Sequence, residues 1–132
     1  MTEIDTKSAT VLLRAFAHPT RLAILQELSK GPKCVTDLED LLPARQANLS
    51  QHLALLRHTQ LVDFAQDAQT RCYYLARPKL TRMLLEELAC NEVPVSKSTE
   101  QIKTEKAKLQ AKQASMPKKP KQASKRTVRA RG

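Results

Sequence analysis

Apolar residues recur at helical spacing in five stretches of the chain and alternate with polar residues in two shorter ones. The predicted helices cover, in chain order, residues 7–17, 20–30, 36–42, 45–59 and 79–90. The two alternating stretches, 61–65 and 71–75, lie between the fourth and fifth helices and predict a β-hairpin. The pattern therefore predicts a mainly α domain that carries a single hairpin.

Local signals mark where two of these helices begin. Pro19 precedes the second helix, and proline is favoured at the first helical position because its missing N–H would have no partner there. Gly31-Pro32 ends that helix. In the third helix, Thr36 can cap the first turn while Glu39, three residues later, reaches back to close a capping box.

The fourth helix is the most regular one in the sequence. Leu49, Leu53 and Leu56 share one face. Small and amide side chains occupy the opposite face and its flanks, and Gln and Asn can each form paired hydrogen bonds with the edge of an adenine in the major groove. A core helix with a merely solvated amide face is the alternative interpretation.

The order of the elements favours the DNA-reading interpretation. Helix, helix, short helix, long helix, hairpin and helix is the order of a winged helix-turn-helix domain, in which the hairpin is the wing. Arg71 is the only basic residue of the predicted wing and is suited to a phosphate contact.

The net charge of +10 comes from the end of the chain. Residues 1–92 hold 11 Lys and Arg against 11 Asp and Glu, whereas residues 93–132 hold 12 against 2. We therefore predict a DNA-binding and dimerisation domain over 1–92 and a disordered basic tail over 93–132, in which residues 97–113 could form a fraying helix. Such a tail can follow a DNA backbone and make binding more sensitive to salt.

The composition also indicates the cellular compartment of the protein. The three cysteines are an odd number, which argues against a disulfide framework and for a reducing environment. No stretch has the apolar length of a membrane span. We expect a cytoplasmic protein that is associated with the nucleoid.

Four segments of the sequence resemble the ArsR/SmtB family of bacterial repressors: HPTRLAILQEL at 18–28, CVTDLE at 34–39, RQANLSQHLALLRH at 45–58 and CYYL at 72–75. The resemblance implies a homodimer paired through its first and last helices. It also implies a pseudo-palindromic double-stranded operator that is released when an effector binds. Gln60, in place of the usual glycine after the recognition helix, and the acidic wing tip at Asp67 depart from the family pattern.

The last helix gives an independent reason to expect a dimer. It carries Leu80, Met83, Leu84 and Leu88, and a domain of this size has little left for them to cover. A partner subunit would bury them and would bring two recognition helices to a two-fold symmetric site. The predicted DNA-binding residues are Gln46, Ala47, Asn48, Ser50, Gln51, His52, Arg57 and Arg71, with His52 near a phosphate.

Cysteine chemistry is the other candidate function. Cys34 stands where the arsenical sensors of the resembled family show Cys-x-Cys, but Thr36 replaces the second thiolate, and trivalent arsenic prefers several thiolates. Because Cys34 precedes a helix N-terminus, we expect a lowered thiol pKa and keep a redox or persulfide switch open. Cys90 could supply a second sulfur from either subunit, whereas Cys72 is interpreted as a small apolar residue.

Other functions are less well supported by the sequence. The last helix has no histidine, which disfavours zinc sensing, and no metal site is assigned. A thiol enzyme is rejected because no histidine or acid stands in a motif with Cys34. A largely non-specific architectural DNA-binding protein, dominated by its basic tail, remains the alternative to a sequence-specific repressor.

Overall fold

The structure, a computed structural model, describes residues 3–115, which divide into two units with the boundary between Glu92 and Val93. The second unit contains one helix, α6 (Thr99–Ala114). The elements of the first unit are α1 (Thr6–Phe16), α2 (Pro19–Ser29), β1 (Lys33–Cys34), α3 (Val35–Leu41), α4 (Gln46–His58), β2 (Val62–Asp67), β3 (Thr70–Leu75) and α5 (Pro78–Cys90). This is the predicted winged helix-turn-helix order.

The core of the first unit is built from leucine and isoleucine side chains of the helices, and it is closed by the wing strands. The leucines of the helical stripe in α4 are all buried, as the spacing predicted. Each buried aliphatic side chain of this kind contributes about 1.5–3 kcal/mol to folding. The buried apolar residues are Ala15, Phe16, Ile24, Leu25, Leu28, Leu38, Leu49, Leu53, Leu56, Leu61, Val62, Tyr73 and Leu75.

The wing belongs to a three-stranded antiparallel sheet with the strand order β1-β3-β2. The sequence predicted two strands and missed β1, because a strand of two residues is too short to show alternation. The hairpin turn is also tighter than the five residues predicted, since only Ala68 and Gln69 separate β2 from β3. Ala68 has φ 57°, a conformation that a glycine would adopt more easily.

Pro19 stands at the start of α2, as predicted. The residue before it caps the helix, because His18 Nδ1 accepts a hydrogen bond from the Thr20 backbone N–H at 3.0 Å. The predicted capping box of α3 is wrong by two residues. Cys34 is the N-cap, its backbone N–H donates to Asp37 Oδ2 at 2.9 Å, and Thr36 lies inside the first turn.

Residues 99–114 of the predicted tail form the helix α6, within the segment where the sequence allowed a fraying helix. This helix starts with a capping box in which the Ser98 hydroxyl accepts from the Gln101 backbone N–H and the Gln101 amide oxygen accepts from the Ser98 backbone N–H. The local capping signal therefore outweighed the polar composition. Residues 116–132 of the predicted tail lie outside the described residues.

Two further features complete the fold. Gln60, directly after α4, has φ 65°, so the position where glycine was expected does adopt a left-handed conformation. Within residues 3–115, every helix is too short or too polar to cross a bilayer.

Candidate DNA interface and thiol pair

The exposed side of α4 carries the small and polar residues that the sequence assigned to base reading. Because Leu49, Leu53 and Leu56 point into the core, the opposite side of the helix faces solvent. The side chains exposed there include Gln46, Ala47, Asn48, Ser50 and Gln51. Their amide and hydroxyl groups could pair with base edges, and the small side chains allow the helix backbone to approach closely.

A groove separates this helix from the wing. It encloses about 490 Å³ and is bounded by the first turn of α3, the first turns of α4 and the tip half of the wing. Polar side chains from all three elements line it: Thr36, Gln46, Ser50, Gln66, Gln69, Thr70 and Arg71. A concave polar surface of this kind, open to solvent, suits the sugar-phosphate backbone that flanks a base-reading helix.

Phe64 is a positioning residue that the sequence analysis missed. The guanidinium carbon of Arg57 lies 4.4 Å from the centre of the Phe64 ring, and that of Arg71 lies 4.5 Å from it. Cation–π contacts of this type limit the freedom of both side chains. The lone aromatic residue on β2 next to two arginines was the available signal, but only the fold brings Arg57 of α4 close to the wing.

Arg57 is also held by an acidic neighbour. Its Nε donates to Asp63 Oδ1 at 3.1 Å, across an ion pair that is about half exposed. The hydrogen bonds from the Phe64 backbone N–H and from Arg57 lower the pKa of Asp63. Because its guanidinium contacts Asp63 and Phe64 at the base of the wing, Arg57 is less free than the amides of α4 to reach a base edge.

His52 lies beside the leucine stripe of α4 and is only partly exposed, whereas the other predicted DNA-binding residues of this helix are exposed. Its ring lies 4.4 Å from that of His18, and its Nδ1 lies 3.4 Å from Arg21 Nη1. Arg21 in turn donates to the backbone oxygens of Ala15 and Arg14 at the end of α1. Burial and the neighbouring His18 and Arg21 lower the pKa of His52, which makes it part of the junction between α1, α2 and α4.

Cys34 has a partner thiol, and it is Cys72 rather than Cys90. The two residues lie directly opposite each other on β1 and β3, with a distance of 2.9 Å between their Sγ atoms. The expected lowering of the Cys34 pKa is wrong. The hydrogen bond with Cys72, burial, and the negative charges nearby raise the pKa of the Cys34 thiol to about 11.

The remaining cysteine lies apart from this pair. Cys90 is exposed at the end of α5. Within residues 3–115, no three His, Cys, Asp or Glu side chains come together as a set that could hold a metal ion.

These features define a bacterial regulatory protein of the winged helix-turn-helix class. Residues 18–63, which contain the helix-turn-helix, match the family described as bacterial regulatory protein, arsR family. The chain is also 40% identical over 90 residues to the transcriptional activator HlyU of Vibrio cholerae, a match that covers 67% of this chain and 83% of HlyU. The chain belongs to the ArsR family, as the sequence resemblance implied.

Two further comparisons agree. The biofilm growth-associated repressor of Agrobacterium fabrum is 39% identical over 74 residues, which are 56% of this chain and 63% of that repressor. The solved structure of Vibrio cholerae HlyU superposes with a TM-score of 0.61 at 39% identity, over 68% of this chain and all of that one. The relatives thus include both a repressor and an activator of transcription, and none of these comparisons indicates an enzyme.

Proposed function

We propose that this protein is a dimeric transcriptional repressor that reads a pseudo-palindromic operator through α4 and is released by chemistry at its thiols. The observation that carries the DNA-reading part is the exposed row of small and amide side chains on α4 beside the polar groove. This face is exposed to solvent, and its Gln and Asn side chains can form paired hydrogen bonds with an adenine edge. Binding to such an operator would keep the protein on the bacterial chromosome, in the cytoplasm.

The proposal of a homodimer rests on apolar side chains that the first unit leaves uncovered. Val11 and Leu13 of α1 are 53% and 57% exposed, and Met83 and Leu88 of α5 are 55% and 59% exposed. Apolar patches on both terminal helices of a small domain are typical of a subunit interface. A two-fold dimer through these helices would present two copies of α4 to one operator.

Thiol chemistry is proposed for the release step because two sulfur atoms lie 2.9 Å from each other, on residues that directly precede groove-lining ones in the sequence. Trivalent arsenic and other thiophilic agents bind or modify paired thiols. Cys34 and Cys72 supply two sulfurs from one subunit, which the single motif cysteine alone could not do. A persulfide donor is the alternative effector.

Binding to the protein's own upstream DNA and to a scrambled duplex of the same composition tests the function. We expect tight binding to the upstream DNA, weaker binding to the scrambled duplex, and loss of this preference with trivalent arsenic or a persulfide donor. Equal affinity for both duplexes would instead indicate an architectural DNA-binding protein.

The Gln51→Ala substitution tests the reading helix. Removing a paired hydrogen bond to a base is expected to weaken operator binding by roughly 1–3 kcal/mol and to leave binding to scrambled DNA unchanged. Gln26→Ala, which removes the same side chain from an exposed position on α2, is the matched control. Unchanged operator preference in Gln51→Ala would refute the assignment of α4.

The Met83→Glu substitution tests the dimer. A carboxylate in a buried apolar interface should shift the protein to monomer in sedimentation velocity, because an unpaired charge is costly to bury. Val95→Glu, at a residue of the second unit that is 74% exposed, is the control and should not change the sedimentation coefficient. A Met83→Glu protein that sediments like the wild type would contradict an interface through α5.

A further inference from the structure

Cys34 and Cys72 are the two residues of the first unit whose sulfur atoms touch. They form a cross-strand pair in the register of β1 and β3, and both are free and partly exposed. Residues directly opposite each other in an antiparallel pair have Cα atoms about 4.5–5.5 Å apart. Disulfides form between Cα atoms about 4.4–6.8 Å apart, so the strand pairing already holds the two backbones at a suitable distance.

The sulfur atoms need to move only a short way to bond. They are 2.9 Å apart, and a disulfide is about 2.05 Å long. Side-chain torsions and a small adjustment of the two-residue strand β1 can absorb such a change. Neither strand pairing nor the core has to open.

The pair lies on the outer side of the sheet, where a small reagent can reach it. Successive strand residues point to opposite faces. Tyr73 and Leu75 of β3 point into the core and are buried, so Cys72 points away from it, beside its exposed register partner Ala65 on β2. The thiols are therefore accessible without unfolding.

We propose that Cys34 and Cys72 are a reversible dithiol–disulfide couple and that its oxidation by a low-molecular-weight disulfide weakens DNA binding. The inference names the site and the reaction of the release step, and its effect on the operator rests on the proposed function. The second sulfur of the proposed site is that of Cys72, whereas the sequence suggested Cys90. The two bonded sulfurs belong to one subunit, so the reaction does not depend on the dimer.

The reaction is thiol–disulfide exchange. One cysteine loses its proton to water, and its thiolate attacks a sulfur of the small disulfide RSSR. The S–S bond of RSSR breaks, one RSH leaves after taking up a proton, and a mixed disulfide remains on the protein. The second cysteine, deprotonated in turn, attacks the protein sulfur of the mixed disulfide and releases the second RSH. The two cysteines are oxidised and one RSSR is reduced to two RSH.

Two carboxylates and the thiol–thiol hydrogen bond disfavour the thiolate of Cys34 at neutral pH. The hydrogen bond between the thiols is the main cause that raises the pKa of Cys34, and the charges of Asp37 and Asp67 act in the same direction. Because only thiolates attack disulfides, exchange through Cys34 is slow until the oxidant is abundant or the pH rises.

The position of the pair explains how the bond would reach the DNA. Cys34 is the N-cap of α3, and the next two residues, Val35 and Thr36, line the groove beside α4. Cys72 lies between Arg71 and Tyr73, which line the same groove from the wing. The small adjustment of β1 that closes the bond would also move the start of α3, which follows β1 directly, against the wing. Hydrogen bonds from the groove to phosphates need donor–acceptor distances of about 2.7–3.2 Å, so such a movement would weaken them.

The test uses the full chain and oxidised glutathione as the oxidant. The reduced protein is incubated with and without it, and thiols, intact mass and disulfide-linked peptides are determined on the same samples used for DNA binding. We expect two thiols to disappear, the mass to fall by two hydrogen atoms, and one linked peptide to join Cys34 to Cys72. We expect the Kd for the upstream duplex to rise by about tenfold and to return with dithiothreitol.

Three variants make the assignment specific. Cys34→Ser and Cys72→Ser should each form no internal disulfide and should stop at the mixed disulfide with glutathione, so that the mass rises instead of falling by two hydrogen atoms. Cys90→Ser should respond like the wild type. A disulfide-linked peptide that contains Cys90 would refute the site. Cys34 and Cys72 thiols that stay reduced in oxidised glutathione would also refute it.

The DNA readout separates this inference from the proposed function. An oxidised protein with the Cys34–Cys72 bond that binds the upstream duplex within about twofold of the reduced protein would refute the coupling to DNA. If the reduced protein fails to distinguish the upstream from the scrambled duplex, sequence-specific repression is refuted. In that case the thiol count still shows whether the Cys34–Cys72 disulfide forms. The effect of the disulfide on DNA affinity is then measured with the scrambled duplex.

Discussion

Helices α4 and α6 are both long and polar on the outside, but they are held in different ways. Leu49, Leu53 and Leu56 of α4 are essentially inaccessible to solvent, whereas α6 buries no residue and leaves Ile102 and Leu109 about half exposed. Instead of buried leucines, α6 has a capping box and two ion pairs. The pair of Lys97 with Glu105 is bidentate, and the pair of Lys103 with Glu100 is weaker. Helix α4 therefore depends on tertiary packing, and α6 depends on local interactions.

The difference predicts how far the effect of a substitution extends from each helix. Most helical stability in proteins comes from packing an apolar face, and isolated helices of this length are marginal in water. A change in the buried stripe of α4 should affect the whole first unit. A change in α6 should stay local.

The largest effect is expected for Leu53→Ala. Removing a fully buried leucine costs about 3–5 kcal/mol, a large share of the stability of a domain of this size. We expect a strongly lowered urea midpoint, or loss of the cooperative transition, in circular dichroism. Leu109→Ala in α6 is the matched control and should leave that transition in place. Equal destabilisation by both variants would break the distinction between the two helices.

A smaller effect is expected when the lysines of α6 lose their charge. Replacing Lys106, Lys108 and Lys112 by Gln should weaken binding to all duplexes alike. The slope of log K against log salt should become shallower by about one for each phosphate that is no longer neutralised. Gln51→Ala in α4 should instead change the preference between duplexes and leave the slope unchanged. Salt titrations of both variants separate backbone binding from base reading, and a lysine variant with an unchanged salt slope would exclude α6 from DNA binding.

The next prediction concerns the pH dependence of stability. It tests whether His52 of α4 packs against its neighbours, unlike the exposed residues of the same helix. His52 has a folded-state pKa below its ordinary value, so the unfolded chain binds the proton more readily. Its contribution to stability is present above about pH 6.5 and is lost as the pH falls below that value towards the folded-state pKa. We expect the Tm to fall by a few degrees between neutral pH and about pH 5.5. His52→Gln should reduce this fall, and an identical pH dependence in both proteins would contradict the assignment.

The smallest effect is expected for Ser98→Ala. Loss of an N-cap costs about 1 kcal/mol in a helix that has no packed face to compensate for it. The helix signal of residues 99–114 should decrease in backbone chemical shifts, while the unfolding transition of the first unit stays unchanged. Thr104→Ala, inside the same helix, is a control that keeps the cap. A change in the stability of the first unit would show that α6 is not independent of it.

The sequence predicted those parts of the fold in which burial repeats with a regular period. The leucine stripe of α4, the proline at the start of α2 and the paired wing strands were all found because each leaves a local pattern. The short strand β1 leaves no pattern. The capping box of α3 was misplaced because Cys34 acts as the N-cap, although cysteine is an uncommon N-cap residue.

The candidate sites depended more on contacts between distant residues. The exposed amides of α4 follow from helical periodicity alone. The partners Cys34 and Cys72 are 38 residues apart in sequence, and only the β1–β3 register brings them together. The inward position of His52 and the role of Phe64 were likewise invisible, because each depends on a neighbouring element rather than on its own.

The strand order β1-β3-β2 leaves one side of β2 unpaired along the edge of the wing. Open edges of this kind are templates for the addition of a strand from another chain, which is a common first step of aggregation. Asp63 and Asp67 place two carboxylates on this edge. Two wings that met edge to edge in antiparallel fashion would bring these charges together and repel each other. We therefore expect the acidic wing tip, which does not favour phosphate contacts, to disfavour pairing between wings where newly made protein is concentrated.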